Sequence, residues 1–597
     1  MVDDSILEPV KYYRENLKEK FAASADEFFD DLVKKSGINA EENRETAKKY
    51  RAKQAEADKA KKRLAALKAV RITLVVFSII ALLAGILFLV ESSGEIARII
   101  VGIFLLVAGV FFIITVFTVL NKKVNNADGV HKKLASSAAA IFAAARAQMA
   151  PLNALFDGDM TRQLIMKAVP LIKIDRNFSI QRFDYMHGKY GFRDNDDPTE
   201  STIDLLSGEI VGNPFLVERR LKMRMDTHTY VGSRVITYTV HYRDSKGNMQ
   251  TRTVTQTLTA SVTKPKPYYK ATTVTVYGND AAPDLTFSRK PTHAENWSER
   301  KVARKVRRGS NRLRRKSEKQ VQKGGGNFTQ MGDETFDVLF GASDRNNEVQ
   351  FRLLFTALAQ RNIVDLIRGG DAYGDDFYFR KDKCLNYIRS EHMQNWDMNA
   401  AADRYFSYDV DISKSNFTLF NNKYFKALFF EFAPVLSIPL YQQLKPREYI
   451  YGKTFSRNMT SYEAESLANS IGPKHFAHPR TASDVILKTQ LMTKKGKSDK
   501  LSVRALSFRT ERRCDSVPVL GGDGKTHIVP VYWDEYIPVE NLSVMDMKEL
   551  GISDKDAATD DNVRRTAAMS MAHAYAHGIF ACLLREQTAD LDKQFDR

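Results

Sequence analysis

Two apolar runs, Val70 to Val90 and Ile99 to Leu120, constrain this chain more than anything else in it. The short polar segment Glu91 to Arg98 separates them, and past Arg71 at its edge the pair carries no charge. At about 1.5 Å per residue, a run of roughly twenty residues makes a helix of about 30 Å, the thickness of a bilayer's hydrocarbon core. The expectation is a transmembrane hairpin. Lys59, Lys61, Lys62, Arg63, Lys68 and Arg71 stand before it and Lys122, Lys123, Lys132 and Lys133 after it, whereas the connecting loop offers Glu91, Glu95 and Arg98. Basic flanks stay inside, so both termini are expected to be cytoplasmic.

The chain has 597 residues, too many for one core, and with 43% hydrophobic and 27% charged residues most of it is expected to fold in water. A net charge of +18 favours an anionic partner, nucleic acid or an acidic membrane face. Cys384, Cys514 and Cys582 are odd in number and widely spaced, which indicates neither a disulfide framework nor a cysteine-rich zinc site and fits a reducing compartment. Met1 to Lys68 is charged rather than apolar, so no cleavable leader is expected there.

In chain order, residues 1–69 read as a cytoplasmic helical region. Val10, Tyr13, Leu17, Phe21, Phe28 and Leu32 recur at helical spacing up to Ser36 and Gly37. Asn39 then caps a second helix, with Glu42 at the third position. The two are expected to pack as an antiparallel pair, either on the protein's own domain or as a coiled-coil surface for a partner. The hairpin occupies 70–120, with spans at about 70–90 and 99–120. A helical connector fills 121–170, with a turn at Asn125 to Gly129 and a stop before Pro151. An antiparallel meander is expected over 171–290, from alternation in Leu171 to Phe192, Gly208 to Arg224 and Thr229 to Arg243. The turn Asp244 to Asn248 joins the last of these to Gln250 to Val262, and Ala271 to Tyr277 adds a further strand.

Residues 291–327 form a basic helix or linker. Arg300 to Lys323 holds twelve Lys or Arg against the single acid Glu318, over a thin apolar stripe of Val302, Val306 and Leu313. Three readings compete: anionic lipid headgroups, an ordinary solvated basic helix, and nucleic acid. Lipid leads, because each Lys or Arg near an acidic leaflet contributes about 1 kcal/mol and the hairpin supplies a tether. No aromatic residue interleaves the run, which disfavours single-stranded nucleic acid. The candidate anionic-lipid or polyanion residues are Arg304, Lys305, Arg307, Arg308, Arg312, Arg314, Arg315 and Lys316.

An α+β region is expected over 328–450, with a strand at Phe336 to Phe340 and a helix at Glu348 to Ile367. The hairpin, the segment Gly208 to Phe215 (GEIVGNPF) and Phe336 to Ile367 (FDVLFGASDRNNEVQFRLLFTALAQRNIVDLI) together resemble a family of uncharacterised bacterial membrane proteins defined by a domain of unknown function. The resemblance spans about residues 60 to 400. It implies a double-spanning hairpin ahead of a cytoplasmic α+β domain in a bacterial plasma membrane, and it brings no active-site residues with it. Further strands are expected at Phe377 to Tyr387, Tyr405 to Ile412 and Phe417 to Phe420. Tyr424 to Tyr441 contains Lys426, Glu431, Pro434 and Pro439, so it reads as core rather than a third span. A β-rich region follows over 451–545, including a short helix at Ser461 to Ala468, strands at Val485 to Leu491 and Leu501 to Arg509, and a hairpin from Ser516 to Tyr536. A C-terminal helix is expected over 546–597.

Catalytic signatures fare poorly. Gly524, Lys525 and Thr526 end like a P-loop, but the motif's first glycine would fall on Val519 and the flanks are strand-like where a helix must open. His573 and His577, four apart on an Ala-rich segment read as a helix, would share a face and could hold a metal with His475 and His478, but no HExxH acid accompanies them. Ala567 to Leu584 reads as a buried helix, with a third span as the lesser alternative. Gly369 to Asp376 lacks the order of a calcium loop, and no nucleophile elbow occurs. No metal, no cofactor and no catalytic residue is therefore assigned. The fold class expected is membrane-anchored α+β, with an N-terminal helical hairpin, a two-helix transmembrane hairpin and a mostly antiparallel β domain with helices. The function expected is a non-enzymatic scaffold or interaction module at the cytoplasmic membrane face, with a protein partner and oligomeric state left open. The alternatives are a cytoplasmic-face enzyme with a histidine-metal site and an accessory subunit of a transporter or envelope machine.

Overall fold

The computed structural model describes residues 6–90, 96–243, 247–322, 328–370, 372–394, 396–444, 460–495, 498–550, 556 and 560–584. The expected loop acids Glu91 and Glu95, most of the turn at Asp244, and Gly324 to Gly326 lie outside these residues. The chain divides into two compact units, Asp26–Phe156 with Ala402–Leu419, and Met1–Ala25 with Asp157–Ala401 and Phe420–Arg597.

The first unit is helical. Helix α1 (residues 9–36), which belongs to this unit from Asp26 on, ends at Gly37, whose φ of 66° is the left-handed conformation that terminates helices. Asn39 accepts the Glu42 amide at 3.1 Å and opens α2 (Ala40–Val90). Helix α3 (Ile96–Asn153) returns beside it. Both helices are long and apolar enough to cross a membrane by length and composition. Gly85, Gly102 and Gly109 set their spacing: a Cβ on Gly109 would lie 2.8 Å from Leu82 and 3.1 Å from the Ser78 carbonyl oxygen. Arg71 meets Asn121 at 3.5 Å, so the two basic flanks share one end of the hairpin.

Several expectations are corrected in this part of the chain. The turn at Asn125 to Gly129 is helix, supported by the Asp128 and Lys132 pair one turn apart at 2.7 Å. Pro151 falls inside the last turn of α3 rather than beyond its end. The antiparallel partner of α2 is α3, not α1. Tyr405 to Ile412 and Phe417 to Phe420 are not strands either, because α10 (Val410–Leu436) runs through this stretch. Within the unit Phe28 and Phe29 of α1 pack on Phe417. Asn43 of α2 accepts the Val410 amide at 3.0 Å, which caps α10.

The second unit is built on antiparallel sheets. Strands β1 (Ile172–Ile174), β2 (Glu200–Ile210), β3 (Asn213–Arg243), β4 (Met249–Gly278), β5 (Thr286–Arg289), β6 (Phe377–Asp382) and β7 (Leu385–Ser390) form one, in the order β1-β2-β3-β4-β7-β6-β5. Strands β8 (Ile486–Lys495), β9 (Ser498–Leu520), β10 (Thr526–Glu549), β11 (Ser570–Ala576) and β12 (Ile579–Leu584) form the other, in the order β11-β12-β10-β9-β8. The hairpin at Gly521 to Gly524 and the helix opening at Ser461, α11 (Ser461–Ile471), are as expected.

Most of Leu171 to Phe192 is not strand. Helix α4 (Met160–Ala168) precedes β1, and after β1 the chain becomes α5 (Ile180–Tyr190), capped by Ser179 and closed by Gly191 at φ 75°. Val211 and Gly212, both at positive φ, break Gly208 to Arg224 into β2 and β3. Ala271 to Tyr277 is the far end of β4, not a separate strand. Phe336 to Phe340 is helix, within α7 (Glu334–Phe340), because Asp333 accepts the Thr335 and Phe336 amides at 2.8 and 3.0 Å and Gly341 ends the turn. Glu348 to Ile367 is two helices, α8 (Glu348–Leu354) and α9 (Ala357–Arg368), since Thr356 recaps the second.

Helix α12 (Asp561–Met569) stops where the expected C-terminal helix would continue. Strands β11 and β12 follow as a hairpin whose turn, His577 and Gly578, has φ of 56° and 77°. Two consecutive positive φ values are what a tight hairpin turn requires. Neither a buried helix nor a third span occupies Ala567 to Leu584: Ile579, Ala581 and Leu583 complete a sheet core with Leu501, Val503 and Met545.

Strands β3 and β4 extend together far past their neighbours, because β2 leaves β3 at Lys222. At about 3.3 Å per residue, the ribbon from Met223 to Arg243 reaches about 70 Å. The β9 and β10 ribbon lies along it through Ile236, Leu258, Ala260, Val529 and Val531. Arg234 donates to the Ile528 carbonyl at 2.9 Å, and Lys264 pairs with Asp515 at 2.7 Å while covering the Trp533 ring. The approach is closest at Gly232, where a Cβ would sit 2.2 Å from the Pro530 carbonyl oxygen. Gly232→Ala is expected to force the ribbons apart at a cost of about 1–3 kcal/mol, read as a lower urea midpoint and faster amide exchange across the two ribbons.

Candidate polyanion interface

Helix α6 (Glu299–Gln322) carries the basic run, and its two faces are sharply different. Val302, Val306, Ser310, Leu313, Ser317 and Gln320, at helical three and four spacing, turn toward the protein. Ser310 accepts from Gln330 at 2.6 Å, Ser317 donates to the Phe328 carbonyl at 2.9 Å, and the Phe328 amide donates to Gln320 at 3.1 Å. Gly309 passes over Val338 of α7 so closely that a Cβ would lie 2.5 Å from Val338 Cγ1. The segment that receives these bonds is held in turn by Arg345, which is buried, bonds Asp337 at 2.7 Å and Glu348 at 2.8 Å, and donates to the Thr329 carbonyl at 2.7 Å. The inner face is therefore fixed mainly by side chains that are not themselves basic.

The outer face presents Arg304, Lys305, Arg307, Arg308, Arg312, Arg314 and Arg315, all exposed. Lys305 lies over the Trp297 ring at 5.7 Å, and Arg314 is 3.9 Å from Glu318. Arg304, Arg307, Arg308, Arg312 and Arg315 have no hydrogen bond or ion pair among the described residues. Arg304, Arg308, Arg312 and Arg315 follow one another at four and three, so they form a stripe about 17 Å long. Planar guanidinium forks in such a row match phosphate oxygens bidentately. Lys316, expected to belong to this group, does not: it is half-buried, donates to the Ser343 carbonyl and lies over the Phe328 ring at 4.7 Å.

The histidines do not converge. His573 lies on β11 and His577 in the turn after it, so four residues of nearly extended chain separate them by roughly 13 Å instead of one helical turn. His577 Nδ1 bonds the buried Glu463 of α11, while the His478 ring nitrogen accepts the Arg480 amide at 3.1 Å. Among the described residues no group of three or more His, Cys, Asp or Glu is arranged to hold a metal ion. Gly524, Lys525 and Thr526 form a hairpin turn, as expected.

Of the acids of Gly369 to Asp376, Asp371 lies outside the described residues and the other two have other partners. Asp375 is fully buried against Arg289 and accepts the Thr292 amide at 2.6 Å. Asp376 bonds His392 Nδ1 at 2.5 Å, and His392 Nε2 faces the Ala427 carbonyl at 3.0 Å. Burial opposes charge on this ring, but two acceptors and the Asp376 carboxylate outweigh it, so His392 titrates above the usual histidine range. Burial likewise pushes the Glu465 carboxyl up to about 7, against the opposing pull of Lys488 at 2.8 Å. These buried pairs join residues distant in sequence, and no local motif announces them.

Together these features define a class: a protein of helices and antiparallel sheet, with a long apolar helical hairpin and a cationic helix on its surface. Comparison with protein-family models, with curated proteins and with solved structures finds no match to the chain.

Proposed function

We propose that α2 and α3 hold this protein in a bacterial plasma membrane with both termini cytoplasmic, and that it works there as a non-enzymatic scaffold whose helix α6 binds anionic lipid headgroups. The anchor reading is supported by apolar side chains such as Ile80, Leu83, Phe104 and Phe111, which are exposed where a water-soluble core helix would bury them. The headgroup reading is carried by one observation, the row of arginines on α6 without partners among the described residues, on a helix whose other face is bonded to the body. Unpaired guanidinium groups give up little on meeting phosphate, and each contributes about 1 kcal/mol near an acidic leaflet.

The test uses the full chain in nanodiscs of zwitterionic lipid, mixed with phosphatidylglycerol vesicles. Arg308→Gln with Arg312→Gln is expected to weaken vesicle capture by about 2 kcal/mol, roughly 30-fold, and to flatten its salt dependence. Unchanged capture removes the lipid reading. Displacement of the vesicles by single-stranded RNA at lower phosphate concentration than by free lipid headgroup would favour nucleic acid instead.

A further inference from the structure

The outer face of the β3 and β4 ribbon, turned away from β9 and β10, has a composition unlike the rest of the molecule. On β3 it presents Thr227, Thr229, Val231, Ser233, Val235, Thr237, Thr239 and His241, and on β4 the alternate positions from Thr251 to Pro265. All sixteen side chains are exposed, ten are threonine, and none is Asp, Glu, Lys or Arg. In a chain that is 27% charged, a charge-free surface fifteen residues long on each strand is an exception that solubility alone does not favour.

We propose that this face is a homotypic contact, packed against the same face of a second copy. Charge argues for that occupant. Two chains of net charge +18 repel over most of their surfaces, and a face without ionised groups lets two copies meet with no like charges opposed. Shape argues for it as well. The face is a ladder of β-branched side chains in register, and such ladders interdigitate with their own kind as sheets about 10 Å apart. Desolvation is cheap where hydroxyls already have partners: Thr229 and Thr263 are 3.2 Å apart across the strands, and Thr237 and Thr255 are 3.5 Å apart.

Area sets the strength. A face two strands wide and fifteen residues long covers about 500 Å² in plan, against about 800 Å² per partner in a standard interface. The contact is weak between free molecules and becomes effective between copies confined to one bilayer, and for that strength it rests on the membrane reading above. Val235 with Thr257 is one of the two central rungs, beside Ser233 with Thr259, so a two-fold axis centred on the face passes next to it.

The experiment is thiol crosslinking of the full chain in its membrane. In a Cys514→Ser background, Val235→Cys is expected to give a covalent dimer. The chain with native Cys514, on the opposite outer face of the arm, gives roughly tenfold less. Adding Val231→Lys and Thr257→Lys is expected to lower the dimer yield by about tenfold, with circular dichroism unchanged because both sites are exposed. Dimer yield at Val235→Cys no greater than at Cys514, yield indifferent to the two lysines, or an adduct whose mass is not twice the chain's overturns the proposal. An alkaline carbonate wash reads anchoring independently. A chain that washes off refutes the membrane reading, and the dimer is then sought by ultracentrifugation at high concentration, where its absence overturns the homotypic contact too.

Discussion

Arg345→Ala is expected to lower the stability of the β-rich unit by about 3–5 kcal/mol and to loosen α6 from its seat. Removing one partner from a buried ion cluster leaves the others charged and desolvated, which costs more than the cluster was worth. Here Asp337 loses its ion-pair partner, and Glu348 keeps only the half-exposed Arg352, at 3.4 Å. Asp337 and Glu348 both face Arg345 within 2.8 Å, and neither is exposed to water. Arg345 also lies against the Phe328 and Phe351 rings, at 4.3 and 4.2 Å, and its donation to Thr329 fixes the segment on which α6 rests. The measurement is a urea midpoint together with amide exchange over residues 299–322. Combining Arg345→Met with Asp337→Asn and Glu348→Gln is expected to recover most of the loss, since the penalty lies in the unpaired charges. Equal loss in the single and triple variants would show that packing, not charge, holds the helix.

Lys381→Met is expected to raise stability near neutral pH by about 3 kcal/mol. Lys381 is buried on β6, its ammonium has no hydrogen-bond partner among the described residues, and the Tyr441 ring lies 5.5 Å away. Burial pulls its pKa down to about 8, with Cys384 opposing weakly. An unfolded lysine titrates near 10.4. Above that value the side chain is neutral in both states and costs nothing. As pH falls from there to 8 the unfolded chain takes up the proton first, so stability is lost across that window; below 8 both states are charged and the penalty is constant. About 2.4 pKa units at 1.36 kcal/mol each give the expected gain. Denaturation of the wild-type and Lys381→Met chains at pH 7 and pH 11 checks it: the difference should be large at the first and small at the second. A gain independent of pH would assign it to packing instead.

The residues differ in how far they announced themselves. The apolar runs, the basic run, the cap at Asn39 and the turn at Gly521 to Gly524 are local features, and each appears in the structure where the sequence places it. The thin apolar stripe of Val302, Val306 and Leu313 is legible in the sequence and lies on the face by which α6 rests on the body. Lys316 was not separable from its neighbours, because only the nearness of the Ser343 carbonyl distinguishes it. Phe336 to Phe340 misled because five residues, four of them apolar, are too few to show a period, and the cap at Asp333 decides its helix. Ala567 to Leu584 misled through its alanines: their helical preference is below 1 kcal/mol each, and a hairpin turn at His577 and Gly578 with a sheet edge to join outweighs it.

The sequence by itself therefore determined the apolar hairpin, the cationic helix and the presence of long alternating strands, because each depends on residues within a few turns of one another. Tertiary structure alone decided that two ribbons stack to bury Ile236 and Val531, that Arg345 is the clamp beneath α6, and that the threonines of β3 and β4 are left facing outward. Alternation marks two faces of a strand but not which one is covered. That choice belongs to the β9 and β10 ribbon, more than two hundred residues further along the chain, whose packing consumes one face and leaves the other charge-free and open.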